Sequence, residues 1–407
     1  MLRAMQFFRS LRRDSSISAI VAGLVVVLVS YASSLVIVLE AARVAQLSPE
    51  QTASWVWAIS IGSGLGGLLL TLFTRTPIIA AWSTPGAALL IASIGGFSFD
   101  EAVGAFIVAS LAATIFGVTG WFGWIMSRVP EPVLQALLAG VLLPFVIAAV
   151  GSFETRPILA GGIVLTFFVG KRFFDRYAVP AALAVGIAIA VITNSFGALS
   201  VDLSPTVPVF TMPSFTLPAV MSIALPLFVV TMASQNAPGL AILKFEGYEP
   251  NARLLVGGIS AVGTVLAPFG SHAVNLAAIT AAIATGPESH ADRSRRYIAG
   301  ISTGLGYLIV GSLSAQVTSV FAAIPLEGVT TLAAVALLGT TLAALRGSVT
   351  TDVRTGFAAV VTLAVTMSGV AFFGVGSAFW GLLAGSVLAF VLRERATRAT
   401  VSQPEDA

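Results

Sequence analysis

Cysteine is absent from the chain, and charge is scarce: 21 basic and 18 acidic side chains amount to 10% of 407 residues. The first absence excludes disulfides and thiolate-held metal. The second excludes an ordinary soluble domain, in which about 25% of residues are charged. Histidine occurs twice, at 272 and 290. His290 lies in the loop "GPESHADRSRR", in a different environment from His272. No nucleophile paired with a base and no metal-ligand cluster can be assembled, which argues against a membrane-embedded enzyme. No cofactor or metal is expected. What the chain has in abundance is apolar surface. Hydrophobic residues make up 57% of it, and a mean hydropathy of +0.97 places it among integral membrane proteins.

A helix needs about 20 mostly apolar residues to cross the hydrocarbon. Reading for such runs gives about fourteen spans, at roughly 18–39, 52–73, 77–95, 101–126, 131–150, 157–173, 178–197, 218–242, 252–267, 270–285, 295–315, 326–345, 352–372 and 376–392. The first follows Arg3, Arg9, Arg12 and Arg13 but is of full spanning length and lacks a cleavage site. It therefore reads as a membrane helix rather than a signal peptide. With the N-terminus in the cytoplasm, 19 of the 21 basic residues fall in inner loops, and only Arg43 and Arg156 fall outside. One missed span would invert every later loop and destroy that bias, so charge supports both the count and the orientation. The expected location is a bacterial-type inner membrane, crossed many times, with both termini cytoplasmic.

Two spans are poor continuous helices. "TPIIAAWSTPGAALLIASIGG" starts at Thr76 and "LAPFGSHAVNLAAITAAIATG" at Leu266. Aligning Pro77 with Pro268 gives an offset of 191 residues, about half the chain. Each half then holds seven spans, and an odd number turns the second half upside down. Inverted repeats with matching interrupted segments point to a secondary transporter and its midplane site. The expected boundaries are a cytoplasmic segment 1–17, a first repeat 18–197, an external linker 198–217, a second repeat 218–393 and a cytoplasmic tail 394–407.

The broken spans carry the polar residues. In the first, residues 78–82 suit a short strand and "STPG" a helix start, with Ser83 or Thr84 as cap and Pro85 at the first helical position. In the second, 269–274 reads as extended and Asn275 as the cap. Two half-helices would begin mid-membrane from opposite sides. Each N-terminus would offer unpaired N–H groups and about half a positive charge. Together they would form an anion site without a buried cation. The plainer account is a pair of kinks with Ser, Thr and Asn bonded locally. A third polar cluster is Gln235-Asn236, followed by the helix-interrupting Pro238-Gly239. It reads either as glue between helices or as amide donors to a carboxylate. His272 is the one titratable side chain placed at depth and is the proton-coupling candidate. Alternatively, the proton travels on the substrate. "GSGLGG" (62–67) matches a dinucleotide fingerprint but lies within an apolar span, where it reads as a small-residue helix contact.

"TMASQNAPGLAILKFEGYEP", "APFGSHAVNLAAITAAIATGPESHADRSRRYIAG" and "STPGAALL" resemble the benzoate/proton symporter family of the BenE type, and more distantly the nucleobase permeases and sulfate/bicarbonate transporters. The resemblance implies an all-α integral membrane fold of about 14 segments in a 7+7 inverted repeat. Each of the two half-helix spans is preceded by a short strand. It implies a core domain (18–126 plus 218–315) moving against a gate domain (131–197 plus 326–393), with dimers common among fold relatives. By position it nominates Trp82, Ser83, Thr84, Gln235, Asn236 and Asn275 for the substrate, with His272 nearby. Glutamates that face ring N–H groups in nucleobase permeases are here replaced by amides, which favours a ligand that brings its own negative charge. The expected function is uptake of benzoate or a similar small aromatic carboxylate with protons. The alternative is exchange or uniport of another small anion, such as sulfate or a dicarboxylate. The bilayer, protons and the anion are the expected partners; nucleic acid is not.

Overall fold

The structure, a computed structural model, describes residues 11, 13–121, 129–197, 204–277, 280–287, 289–370, 372 and 377–392. Most of the expected segment 1–17, the tail 394–407 and residues 198–203 of the expected linker lie outside these.

The described chain is helical apart from two short strands. Helices α1 (Ile17–Ser30) and α2 (Val36–Val44) are joined by a π-helical turn, Tyr31–Leu35. Then come α3 (Pro49–Thr74), strand β1 (Ala80–Trp82), α4 (Thr84–Ser93), α5 (Phe99–Thr119), α6 (Glu131–Thr155), α7 (Pro157–Phe173) and α8 (Ala178–Ile192). Past the linker, Leu217–Ala219 and a second π turn, Val220–Ala224, lead into α9 (Leu225–Thr231). A third π turn, Met232–Asn236, precedes α10 (Ala237–Phe245). The remaining elements are α11 (Ala252–Leu266), β2 (Val274–Leu276), α12 (Ala281–Thr285), α13 (Tyr297–Ser312), α14 (Ser314–Ala322), α15 (Leu326–Ser348), α16 (Val353–Met367) and α17 (Ser377–Val391). Among the described residues, six helical stretches are long and apolar enough to cross a membrane, and α13 with α14 makes a seventh if that bent pair is counted as one.

Local chemistry sets the ends. Ser48 caps α3 by accepting the Gln51 N–H (3.2 Å), and Gln51 Oε1 accepts the Ser48 N–H in return (3.1 Å). Arg75 ends the helix in the left-handed conformation, φ 55°. Pro238-Gly239 does not interrupt its helix as expected. Proline lacks an N–H and crowds the carbonyl four residues back. The π turn that ends at Asn236 widens the helix just before it, and the chain continues as α10. The same arrangement recurs twelve residues earlier, where Pro226 follows the π turn ending at Ala224. The span expected at 295–315 also differs: after Ser312 the chain bends by 71° into α14. The linker takes up the backbone groups released there. Thr206 N–H donates to the Ser312 carbonyl, and Thr206 Oγ1 accepts the Ala315 N–H, both at 2.8 Å.

Packing falls into two groups. In one, α13 lies along α3 and α1, and α5 lies along α11. In the other, α6 packs on α15 and α16, α7 on α8, and α16 on α17. The glycines of "GSGLGG" form the contact face of α3. Gly64 abuts the Gly304 carbonyl and Leu308 of α13, and Gly67 abuts the Ile78 carbonyl and the Ala80 N–H at β1. A side chain at Gly67 would push the strand away. The paired loops on one side also meet: Tyr297 donates to Asp14 (2.9 Å) and accepts from Arg75 (2.7 Å). Arg296 joins Glu246 to the Thr285 carbonyl at the end of α12 (3.1 and 2.6 Å).

A Cβ at Gly64 would sit 2.9 Å from the Gly304 carbonyl oxygen, which cannot move aside. Gly64→Val is therefore expected to destabilise the protein by about 1–3 kcal/mol. The readout is a lower melting temperature in detergent and less protein in membranes. Gly96→Ala, where nothing lies within 4 Å, should match the parent; equal loss in both would show that α3 and α13 do not pack as described.

Candidate functional site at the paired strands

The two broken spans meet. β1 and β2 pair antiparallel, with Ala80 opposite Leu276, Ala81 opposite Asn275 and Trp82 opposite Val274. Helix α4 starts directly from β1. Ser83 is its cap, accepting the Gly86 N–H on Oγ at 3.0 Å, and Thr84 and Pro85 are its first and second residues. Pro85 thus stands one place later than expected.

The second span differs more. Asn275 is not a helix cap: it lies in the middle of β2, and α12 begins at Ala281, after Thr280. The extended piece therefore runs past Asn275, because its backbone is held by β1. Gly270, at φ 105° and with Trp55 against it, makes the turn that feeds the strand. The expected pair of matching half-helices is thus one ten-residue helix, α4, and one of five residues, α12.

Ser83 is the centre of the bonded network. Its N–H reaches the Ala273 carbonyl (3.3 Å). The same N–H meets the Asn275 side-chain oxygen (3.1 Å), whose amide nitrogen donates to the Leu276 carbonyl (3.0 Å). Its carbonyl lies 3.0 Å from His272 Nε2. Its hydroxyl accepts from Thr231 Oγ1 (3.1 Å) as well as from Gly86. His272 is wholly buried, and its Nδ1 accepts the Trp55 indole N–H at 3.0 Å. An indole nitrogen only donates and a carbonyl only accepts, so the ring carries its proton on Nε2. A second proton on Nδ1 would face the Trp55 N–H.

The other nominated residues are placed as follows. Thr84 Oγ1 donates to Ser34 in the first π turn (2.8 Å). Asn236 is fully buried, and its Oδ1 accepts the Leu276 N–H of β2 (3.0 Å) while its amide nitrogen faces Met232 sulfur (3.4 Å). Gln235, in the same π turn and buried, makes no side-chain hydrogen bond among the described residues. Trp82 is buried in an aromatic cluster with Tyr31 and Tyr307, ring centroids 5.3 and 5.7 Å away, and its indole N–H has no acceptor among the described residues. Sequence reasoning passed over Trp55, Ser34 and Thr231, each the direct partner of a nominated residue. A lone tryptophan, serine or threonine in an apolar helix gives no signal of a partner far along the chain.

Two donors are left over at the start of α4. Ser83 Oγ accepts twice, so its own hydrogen points elsewhere. The Thr84 N–H has no acceptor among the described residues. Among those residues the buried charged side chains are Asp14 and Arg296, both in the loop clusters described above. The arrangement is a neutral pair of adjacent donors at a helix N-terminus, suited to the two oxygens of an anion.

A family model described as "Benzoate membrane transport protein" matches residues 13–391. The chain is 40% identical over 379 residues to "Inner membrane protein YdcO" of Escherichia coli (strain K12), covering 93% of this chain and 97% of that one. It is 33% identical over 384 residues to "Benzoate membrane transport protein" of Acinetobacter baylyi (strain ATCC 33305 / BD413 / ADP1), covering 94% and 97%. Among solved structures, the fold is similar to the transmembrane domain of a cyanobacterium bicarbonate transporter, BicA (TM-score 0.57, 12% identity, 92% of this chain and 98% of that). It is also similar to murine Solute Carrier 26 family member A9, an anion transporter in the inward-facing state (TM-score 0.63, 11% identity, 92% and 68%). At these identities the structural likeness concerns the fold.

The His272 geometry makes a direct prediction. Nitrogen-15 spectra of the imidazole at pH 7 should show Nε2 protonated and Nδ1 bare; a protonated Nδ1 would contradict the bond from Trp55. Trp55→Phe strands that acceptor in the interior and should cost about 1–3 kcal/mol of stability.

Proposed function

Because the chain belongs to the benzoate membrane transport protein family, we propose that it carries benzoate or a similar small aromatic carboxylate across the membrane together with a proton. The observation that carries this reading is the pair of donors left unused among the described residues at the start of α4, Ser83 Oγ–H and Thr84 N–H, the only buried charged side chains among those residues being Asp14 and Arg296 of the loop clusters. The carboxylate accepts from both. Gln235 adds an amide that donates to a carboxylate or, turned over, accepts from a carboxylic acid.

The proton rides on the substrate. His272 has both nitrogens engaged, so it holds the Ser83 carbonyl in place rather than ferrying charge. An inside-negative potential opposes inward movement of a lone monoanion by roughly 2.3 kcal/mol per 100 mV. A proton on the carboxyl cancels that term, and each unit of pH difference supplies about 1.4 kcal/mol.

The transport cycle is read as one group of helices moving against the other, on fourteen spans in two inverted halves. Element spacing supports this. The strands are centred 194 positions apart, on Ala81 and Asn275. Helices α6 and α15 start at Glu131 and Leu326, and π turns occur at Tyr31–Leu35 and at Val220–Ala224. Contacts mirror one another too: the first of these turns lies against α15 and α8, and the second lies against α17.

Uptake of labelled benzoate into proteoliposomes tests the reading. An inward-directed proton gradient should drive accumulation, and a potential clamped with potassium and valinomycin should leave it unchanged. Accumulation without a pH gradient would end the proton-coupled account, and uptake of sulfate or fumarate in preference to benzoate would end the aromatic-carboxylate account. Ser83→Ala should raise the benzoate KM about tenfold, the worth of one hydrogen bond to a charged group.

A further inference from the structure

Ser83 Oγ is a useful donor only if its hydrogen points toward the substrate, and Thr231 decides that. Thr231 stands at the end of α9, buried, and opens the motif "TMASQNAPG" without having been nominated for the site. It gives its own hydrogen to Ser83 (3.1 Å), while Gly86 gives another (3.0 Å). With both acceptor positions filled, the Ser83 hydroxyl can only donate outward.

Thr231 Oγ1 has thereby spent its hydrogen and can only accept further bonds. Behind it, between α5, α9, α11 and β2, is a small cavity lined by Ser110, Phe228, Thr231, Ser260 and Val274. The Ser110 hydroxyl is buried there and has no hydrogen-bond partner among the described residues. A buried water needs two to four polar partners and little more room than its own volume. This cavity is of that scale and offers three hydroxyls.

We propose that Thr231 is the positioning residue of the carboxylate site, and that a single water bound between Ser110 and Thr231 fixes its polarity. Ser110 donates to the water, the water to Thr231, Thr231 to Ser83, and Ser83 to the substrate. Every hydrogen in the chain points the same way, and no proton need leave its oxygen. The inference rests on the proposed carboxylate site and adds how that site is aligned.

The test is benzoate uptake by the full-length protein in proteoliposomes, with KM and maximal rate measured separately. Monodispersity and melting temperature are checked for each variant. Thr231→Val removes the hydroxyl at nearly constant volume and should raise KM about tenfold, with the maximal rate changed less. Thr231→Ser should restore KM to within about twofold, since it keeps the donor. Ser110→Ala should raise KM by a smaller factor, about threefold, and should add nothing on top of Thr231→Val, because the two belong to one chain. An unchanged KM in Thr231→Val, with Ser83→Ala impaired, would overturn the positioning role while leaving the carboxylate site intact. Thr231→Ser as impaired as Thr231→Val would overturn it as well, since packing rather than the donor would then matter. Additive losses in the double variant would remove the water. If Ser83→Ala itself leaves KM unchanged, the failure lies with the carboxylate site.

Discussion

Backbone that is neither helix nor closed barrel is costly inside a bilayer, because no water satisfies its N–H and C=O groups. Two three-residue strands interrupt this membrane-protein fold, and their pairing is the constraint on which the candidate site depends. Pairing alone satisfies one edge of each strand. Helix side chains meet further backbone groups. Just before β1, Thr71 of α3 both accepts the Ile78 N–H and donates to its carbonyl, each at 3.1 Å. Asn236 accepts the Leu276 N–H on the far side. The strand ends are tied by Ala277 N–H to the Ile79 carbonyl (2.9 Å) and by Ser83 to Ala273. A polar residue that looks like a ligand contact in the sequence can thus be the price of an interrupted backbone.

That constraint explains where the small residues and π turns fall. The strands can only lie between helices whose surfaces let backbone approach backbone. Gly67 provides this on α3, and Gly239 on α10, where a Cβ would meet Leu276 and the Ala277 carbonyl. The π turns place one additional residue in the helix at the same depth. The turn at Tyr31–Leu35 brings Ser34 to Thr84, and the turn at Met232–Asn236 brings Asn236 to β2. The turn at Tyr31–Leu35 also lies against α8 and α15 of the second packing group, so the helix that carries Ser34 to the candidate site spans the boundary between the two groups.

Much of this was legible in the sequence, and the failures share a cause. The interrupted spans announced themselves through Pro77, Pro85, Pro268 and Gly270, since proline and glycine act on the backbone locally. The cap at Ser83 could be read for the same reason. Asn275 could not, because cap and strand are equally good homes for asparagine until a partner strand 194 positions away settles the matter. The π turns left no mark in the apolar periodicity, which differs from that of an α-helix by a single residue. His272 stood out in the sequence because of its rarity, but its partners, the Trp55 indole and the Ser83 carbonyl, were not visible there.

A site without charge has a mechanistic consequence. A buried arginine would bind a carboxylate strongly but would stand uncompensated each time the site emptied, at a cost of several kcal/mol. Neutral donors avoid that. In the proposed site, Ser83 Oγ–H and Thr84 N–H would attract an anion through hydrogen bonds reinforced by the dipole of α4, and each empty donor would leave only a modest penalty. The same neutrality lets protonation loosen the grip, because a carboxylic acid loses the charge that made both bonds strong and brings a hydrogen that Ser83, already accepting twice, cannot take. On the proposed reading, binding and release would be governed by the charge on the substrate rather than by a charge on the protein, and a carrier built this way would need no acidic or basic side chain at its binding site.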